Sequence, residues 1–276
     1  MNSAMLSFIK KDSPIHKLSG VTKLICFLLF SLASMITYDT RVLILLFLVG
    51  IISFKLSKIE FKEISFVLYF ILFFLVLNSI FIFIFSPYEG VKIYGTETVI
   101  FDMFGPYKLT KEQLFYQFNV ILKYFATIPL ALLFILTTEP SEFAASLNKI
   151  GVNYKAAYSV SIALRYIPDI QRDYKDISFA QQARGIDMSK NEKLLKRIKN
   201  SSAILMPLIF SSLERIDKIS LAMELRAFGT NKRRTWYNAK KFTKLDYISI
   251  ALFLGLVIIS LVMLKVNGSR FYNPFI

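Results

Sequence analysis

Long apolar blocks alternate along this chain with short basic segments. A helix needs about 20 apolar residues to cross the hydrocarbon of a bilayer. Leu18–Thr37, Ile64–Phe85, Asn119–Thr138 and Tyr247–Leu264 read as such spans. Val42–Phe54 is shorter. With Thr37-Tyr38-Asp39-Thr40-Arg41 as a turn it forms a hairpin with the first block, its second arm tilted or thinning the bilayer locally. The first block lacks a clear small-residue cleavage site and runs straight into the next, so it is read as a span and not a leader.

Residues 139–244 break this pattern. Ala156–Ile167 and Ala203–Leu213 are apolar but too short to cross, and Arg165, Pro168 and Pro207 interrupt them. They predict helices that lie along the membrane or pack on the bundle. One helix starts at Pro140-Ser141-Glu142, runs towards Asn148 and stops at Gly151. A second runs from about Tyr154 to Ala183, and Gly185 ends it. A third runs from about Lys190 to Phe228, and Gly229 ends it. The expected fold is an all-α integral membrane protein with about five transmembrane helices and a coupling domain of long amphipathic helices. Its parts are residues 1–138 (four spans), 139–244 (coupling helices) and 245–276 (last span and tail).

Charge orients the spans. The net charge is +15. Lys10, Lys11, Lys17 and Lys23 precede or open the first span, and Lys55, Lys58 and Lys62 follow the second. Residues 139–244 hold 20 Lys and Arg against 10 Asp and Glu. The loop Ser86–Leu114 holds three lysines against four acids. Five spans with the amino end inside place every basic segment in the cytoplasm and that loop outside. The loop, with Gly90, Gly95, Gly105, Pro87 and Pro106, reads as irregular or as a short hairpin. A basic chain also suits nucleic acid. Here the cations alternate with amphipathic helix, so membrane lipid is the expected anionic partner and no nucleic acid is expected.

Two arginine motifs sit 42 residues apart in the basic segment: Ala180-Gln181-Gln182-Ala183-Arg184-Gly185 and Glu224-Leu225-Arg226-Ala227-Phe228-Gly229. Each closes a predicted helix. Glycine tolerates a left-handed helix stop, and a cation in a last turn is favoured by the helix dipole. Ordinary helix ends explain that much. The pair suggests more. Arginine presents a rigid fork of donors suited to carboxylates, and small neighbours admit a partner backbone. A small–Arg–small knob suits an acidic groove, and two knobs suit two partner subunits.

These motifs resemble the paired Ala-Arg-Gly coupling motifs of the transmembrane T components of energy-coupling factor (ECF) vitamin and metal transporters. Ser13-Pro14-Ile15-His16-Lys17-Leu18, then Lys23-Leu24, is similar to that family's opening. Arg165-Tyr166-Ile167-Pro168 followed by the first arginine motif resembles its first coupling helix. Met206-Pro207-Leu208 followed by Ala222-Met223-Glu224-Leu225-Arg226 resembles its second. The second motif departs by carrying Leu225 and Ala227 where the family often has alanine and glycine.

The resemblance implies two ABC ATPase partners contacted by Ala183, Arg184, Gly185, Leu225, Arg226 and Ala227. It also implies a membrane S component that binds substrate. That partner rests on a platform at Ala156, Ser159, Ile162, Ala163, Ala203, Leu205, Leu208 and Ile209. ATP and magnesium belong to the ATPases, and the chain itself binds no cofactor.

No phosphate-binding loop, nucleophile elbow or zinc-protease motif occurs in the sequence. The competing readings are a membrane enzyme acting on anionic lipid headgroups, or a basic scaffold. His16 reads as a cap or interfacial packer, and Cys26 as an apolar packer. Lys123 reads as a snorkelling lysine or a buried functional one. Asn78 suits a bond across helices or a path lining. Asp169, Asp173 and Asp176 beside Arg165, Arg172 and Lys175 suit local ion pairs.

Overall fold

The computed structural model describes residues 8–102, 107–186, 194–231, 235–237 and 240–275. The chain divides into two compact units, one of Met1–Glu142 with Lys240–Ile276 and one of Phe143–Ala239.

The first unit is a helical bundle. A short turn of helix, α1 (Pro14–Lys17), precedes α2 (Gly20–Ile36), α3 (Thr40–Leu56) and α4 (Phe61–Phe85). The loop after α4 holds a small helix, α5 (Glu89–Tyr94), and an antiparallel pair, β1 (Val99–Asp102) and β2 (Lys108–Thr110). Gly105 and Pro106 fall outside the described residues. Then come α6 (Lys111–Thr137), the start of α7 (Pro140–Lys149) and, after the second unit, α10 (Lys244–Val266). Apart from the strand pair the described chain is helical, and it is a membrane protein. α4, α6 and α10 are long and apolar enough to cross a bilayer. α2 and α3 have 17 residues each, about 25 Å at the helical rise. α3 covers more than the apolar block Val42–Phe54, because the flanking Thr40-Arg41 and Lys55-Leu56 are also helical.

The core forms where α3 packs on α6 and α10 packs on α2. Phe30, Ala33, Leu43, Leu46, Ala126, Leu130 and Phe253 meet there and are buried. Gly50 permits a close approach of α3 to α6: a Cβ at this position would lie 3.3 Å from the Ala126 carbonyl oxygen. Small residues let membrane helices pack backbone to backbone. α4 differs. Ile64 is its one buried residue, and its Phe-rich surface is exposed. A bond between α4 and α6 runs from the Gln117 amide to the carbonyl of Ser79, one residue beyond Asn78.

Buried polar residues tie the helix ends. The Lys23 ammonium donates to the Thr137 carbonyl at 2.6 Å and lies 3.7 Å from Glu142. Lys240 meets the other Glu142 oxygen at 2.5 Å. Asp246 accepts the Ser19 amide on one oxygen and Thr243 on the other, joining the starts of α2 and α10. At the opposite helix ends, Asp39 accepts from Arg41 and Asn267. Burial alone would raise its pKa, but these hydrogen bonds outweigh that and hold it below the usual carboxylate value. Lys123 sits 3.8 Å over the Tyr38 ring and donates to the Met35 carbonyl, so it covers the end of α2.

His16 pins the amino-terminal segment. Its Nε2 lies 2.9 Å from the Ile9 carbonyl, and its Nδ1 lies 2.7 Å from the Ser13 hydroxyl. A carbonyl only accepts, so Nε2 carries the proton and Nδ1 accepts from Ser13. Ile9 in turn donates its amide to the Leu136 carbonyl. Burial, with Lys23, Lys240 and Lys11 nearby, pushes the His16 pKa below its ordinary 6.5 against the pull of the Ile9 carbonyl. The unfolded chain therefore binds this proton more tightly. The histidine's contribution is complete above pH 6.5 and is lost as pH falls through the folded value. Between about pH 7 and pH 5, the thermal midpoint in detergent should fall further for wild type than for His16→Gln. Parallel curves would contradict this.

Candidate coupling helices and their arginine ends

The second unit is built on two long helices, α8 (Tyr154–Ala183) and α9 (Leu194–Leu225). The Asn153 side chain caps α8 by accepting the Lys155 amide. The expected start of the third helix near Lys190 lies outside the described residues. Both helices carry an interior proline, Pro168 and Pro207.

The helices run antiparallel, as their contacts show. Gln181 bonds to Ala203, and Asp173 pairs with Arg215 at 2.5 Å. Tyr154 meets Phe228 edge-on and Tyr158 meets it at a tilt, with ring centres 5.6 and 4.8 Å away. Residue numbers on one helix rise as those on the other fall. Trp236 reinforces the last contact, donating its indole N–H to Asn148 and lying against Tyr158. Local pairs were the expectation for Asp173, but its partner is across the helix interface. The i,i+4 pattern gives no information about a charge 42 residues away.

Both arginines occupy the same position in the same cap. α8 ends at Ala183, and Arg184 follows as its half-helical last residue. Gly185 turns left-handed at φ +88°. Its amide donates to the Gln182 carbonyl at 2.9 Å, and the Ile186 amide donates to Gln181 at 3.1 Å. α9 ends at Leu225 with Arg226 in the matching place. Ala227 turns left-handed at φ +52°. Its amide donates to Glu224 at 2.8 Å, and the Phe228 amide to Met223 at 2.9 Å. This is one double hydrogen-bonded stop, used twice. α7 ends the same way around Gly151, so the cap alone is not specific.

The sequence put the second stop at Gly229, and this is corrected. Gly229 does have a positive φ of 96°, but Ala227 makes the turn two residues earlier. Glycine's permissiveness drew the prediction, whereas an alanine paying the left-handed cost carries no composition signal.

Arg184 and Arg226 are both exposed, as are Ala183, Gly185, Leu225 and Ala227. Leu225 is 81% exposed. Because the helices are antiparallel, the two motifs lie at opposite ends of the pair. Tyr154, beside the second motif, is 30 residues from Arg184, so the arginines stand on the order of 40 Å apart at 1.5 Å per residue.

Between these ends lies an apolar face. On α9, Leu205, Met206, Ile209, Phe210, Leu213 and Ile216 are exposed, while Ile204 is fully buried. Ala203 and Leu208 are half-buried. On α8, Ala156, Ser159 and Ala163 are exposed and Ile162 is half-buried. An apolar exposed helix face marks an interaction surface or a lipid contact. Ile216 extends the expected stretch, and its three-residue step from Leu213 was the available signal. Among the described residues no cluster of His, Cys, Asp or Glu could hold a metal.

The sequence is similar to that of known proteins. The family described as cobalt transport protein CbiQ matches residues 11–237. The energy-coupling factor transporter transmembrane protein EcfT of Clostridium kluyveri is 30% identical, over 92% of this chain and 94% of its own. The Lactococcus lactis subsp. cremoris protein of that name is 29% identical over 96% and 99%. That of Bacillus subtilis is 27% identical over 87% and 89%.

The left-handed alanine supports a direct prediction. A left-handed turn costs a non-glycine residue about 1–2 kcal/mol. Ala227→Gly should therefore stabilise the end of α9 by about 1 kcal/mol, and Gly185→Ala should destabilise α8 by a similar amount. Amide exchange in the two last turns would show slower exchange in the first variant and faster in the second.

Proposed function

We infer the function of this chain from its family: it belongs to the CbiQ cobalt transport protein family, as the transmembrane T component of an energy-coupling factor transporter. It is a non-catalytic subunit. We propose that it couples two ABC ATPase subunits to a substrate-binding membrane S component during uptake of a vitamin or metal ion. The supporting observation is the pair of equally capped, exposed arginines at opposite ends of one antiparallel helix pair.

In this reading Arg184 seats in a groove of one ATPase and Arg226 in a groove of the other. A spacing on the order of 40 Å suits two globular partners side by side. Each arginine directly follows the last helical residue, Ala183 or Leu225, so a push on its backbone is passed to the helix. ATP and magnesium bind the ATPases, and their closure moves the two seats relative to one another. The motion passes into α8 and α9 and so to the apolar face around Ala156, Ser159, Ile162, Ala163, Ala203, Leu205, Leu208 and Ile209. That face carries the S component and reorients it in the membrane. The excess of basic residues in 139–244 supports reading the chain as a multi-pass cell-membrane protein with its amino end and this helix pair cytoplasmic.

The test is co-purification of the ATPases in detergent. Reversing a buried, paired arginine costs about 2–5 kcal/mol. Arg184→Glu with Arg226→Glu should still insert but recover no ATPase. ATPase recovered equally from wild type and variant would reduce the motifs to plain helix ends. The single alanine variants rank the seats. Arg184→Ala should lose more than Arg226→Ala, since Leu225 and Ala227 make the second knob bulkier. Equal or reversed losses would contradict that ranking.

A further inference from the structure

Pro207 leaves a gap in α9. Proline has no N–H, so the carbonyl four residues earlier, that of Ala203, lacks its helical donor. Gln181 of α8 reaches across and donates its side-chain amide to that carbonyl at 3.2 Å. The backbone carbonyl of Gln181 accepts the amides of Arg184 and Ile186, each at 3.1 Å. One residue thus holds the turn that carries Arg184 with its main chain and the break in α9 with its side chain. Ile204, beside the bonded carbonyl, is fully buried, so this turn of α9 is fixed in the helix interface.

We propose that Gln181 is a positioning residue: it locks the arginine turn of α8 to the proline-interrupted turn of α9, so that force applied at Arg184 enters the apolar face of α9 at Ala203. This rests on the coupling function proposed above. Without the bond, α8 would move on Arg184 while α9, softened at Pro207, would not follow. The adjacent Gln182 has no such reach, since its amide bonds to Ser178 on its own helix.

The test uses the complete complex, co-expressed with its ATPases and S component. Amide exchange over residues 203–213 is compared in Mg-ADP and in a non-hydrolysable Mg-ATP analogue. Wild type should show a nucleotide-dependent change in this part of α9. Gln181→Met keeps the length but cannot donate. Gln181→Glu keeps the shape, and its carboxylate only accepts. Both should retain bound ATPase and lose the nucleotide response in α9. Both should also raise basal exchange there by about fivefold, the worth of one hydrogen bond. In a Pro207→Ala background the restored N–H satisfies Ala203, and Gln181→Met should then leave basal exchange unchanged.

A nucleotide response that persists in both Gln181 variants, or is absent in wild type, would overturn the proposal. So would loss of ATPase from both variants, which would make Gln181 merely structural. Arg184→Glu separates this from failure of the underlying reading. If that variant keeps its ATPase and its response in α9, the coupling function itself is wrong. If it loses the ATPase while the Gln181 variants respond as wild type does, only the lock is wrong.

Discussion

A long helix needs a way to stop, and the way these two stop governs the rest. At both ends the last carbonyls find donors because one residue turns left-handed. That residue is Gly185 in one helix and Ala227 in the other. In both, the residue just before the turn is an arginine, so it leaves the helix end exposed and in the same local frame. The repeated cap converts two separate sequence positions into one geometry used twice. The antiparallel pairing of α8 and α9 then sends the two arginines to opposite ends.

The bundle unit answers a different constraint. In lipid there is little hydrophobic force between helices, so close backbone packing and polar ties specify the arrangement. Gly50 against Ala126 supplies the first. Lys23 with Glu142, Asp246 with Ser19 and Asp39 with Asn267 supply the second. All of these ties sit at or near helix ends. The middle of the bundle is left to Phe30, Leu43, Leu46 and Phe253. α4, with a single buried residue, is held by little of this and presents its aromatic surface outward.

Much of this was legible because it is local. Apolar block length gave the long membrane helices, and α8 runs from Tyr154 to Ala183 as expected, with Gly185 making the turn that stops it. What was missed depends on distant partners or on a rule broken at one residue. Ala227 accepts a conformation that composition assigns to Gly229. Asp173 finds Arg215, not a neighbour on its own helix. Gln181 stood inside a quoted motif with no role, because its significance depends on a carbonyl opened by Pro207 in another helix. In the loop after α4 the short hairpin is present as the strand pair, whereas the small helix α5 has no strong periodicity to announce it. Both are shaped by Glu112 and Gln113, which bond back to Thr98 and Gly90.

The central claim is that the two arginine ends engage two separate ATPase subunits. A photo-crosslinking residue at Gln182, at Glu224, or at both positions, in the assembled complex tests it most directly. Each single variant should capture one ATPase polypeptide, and the double variant should capture two on the same chain. A double variant that never captures more than one, or that captures only lipid at either position, would contradict the account.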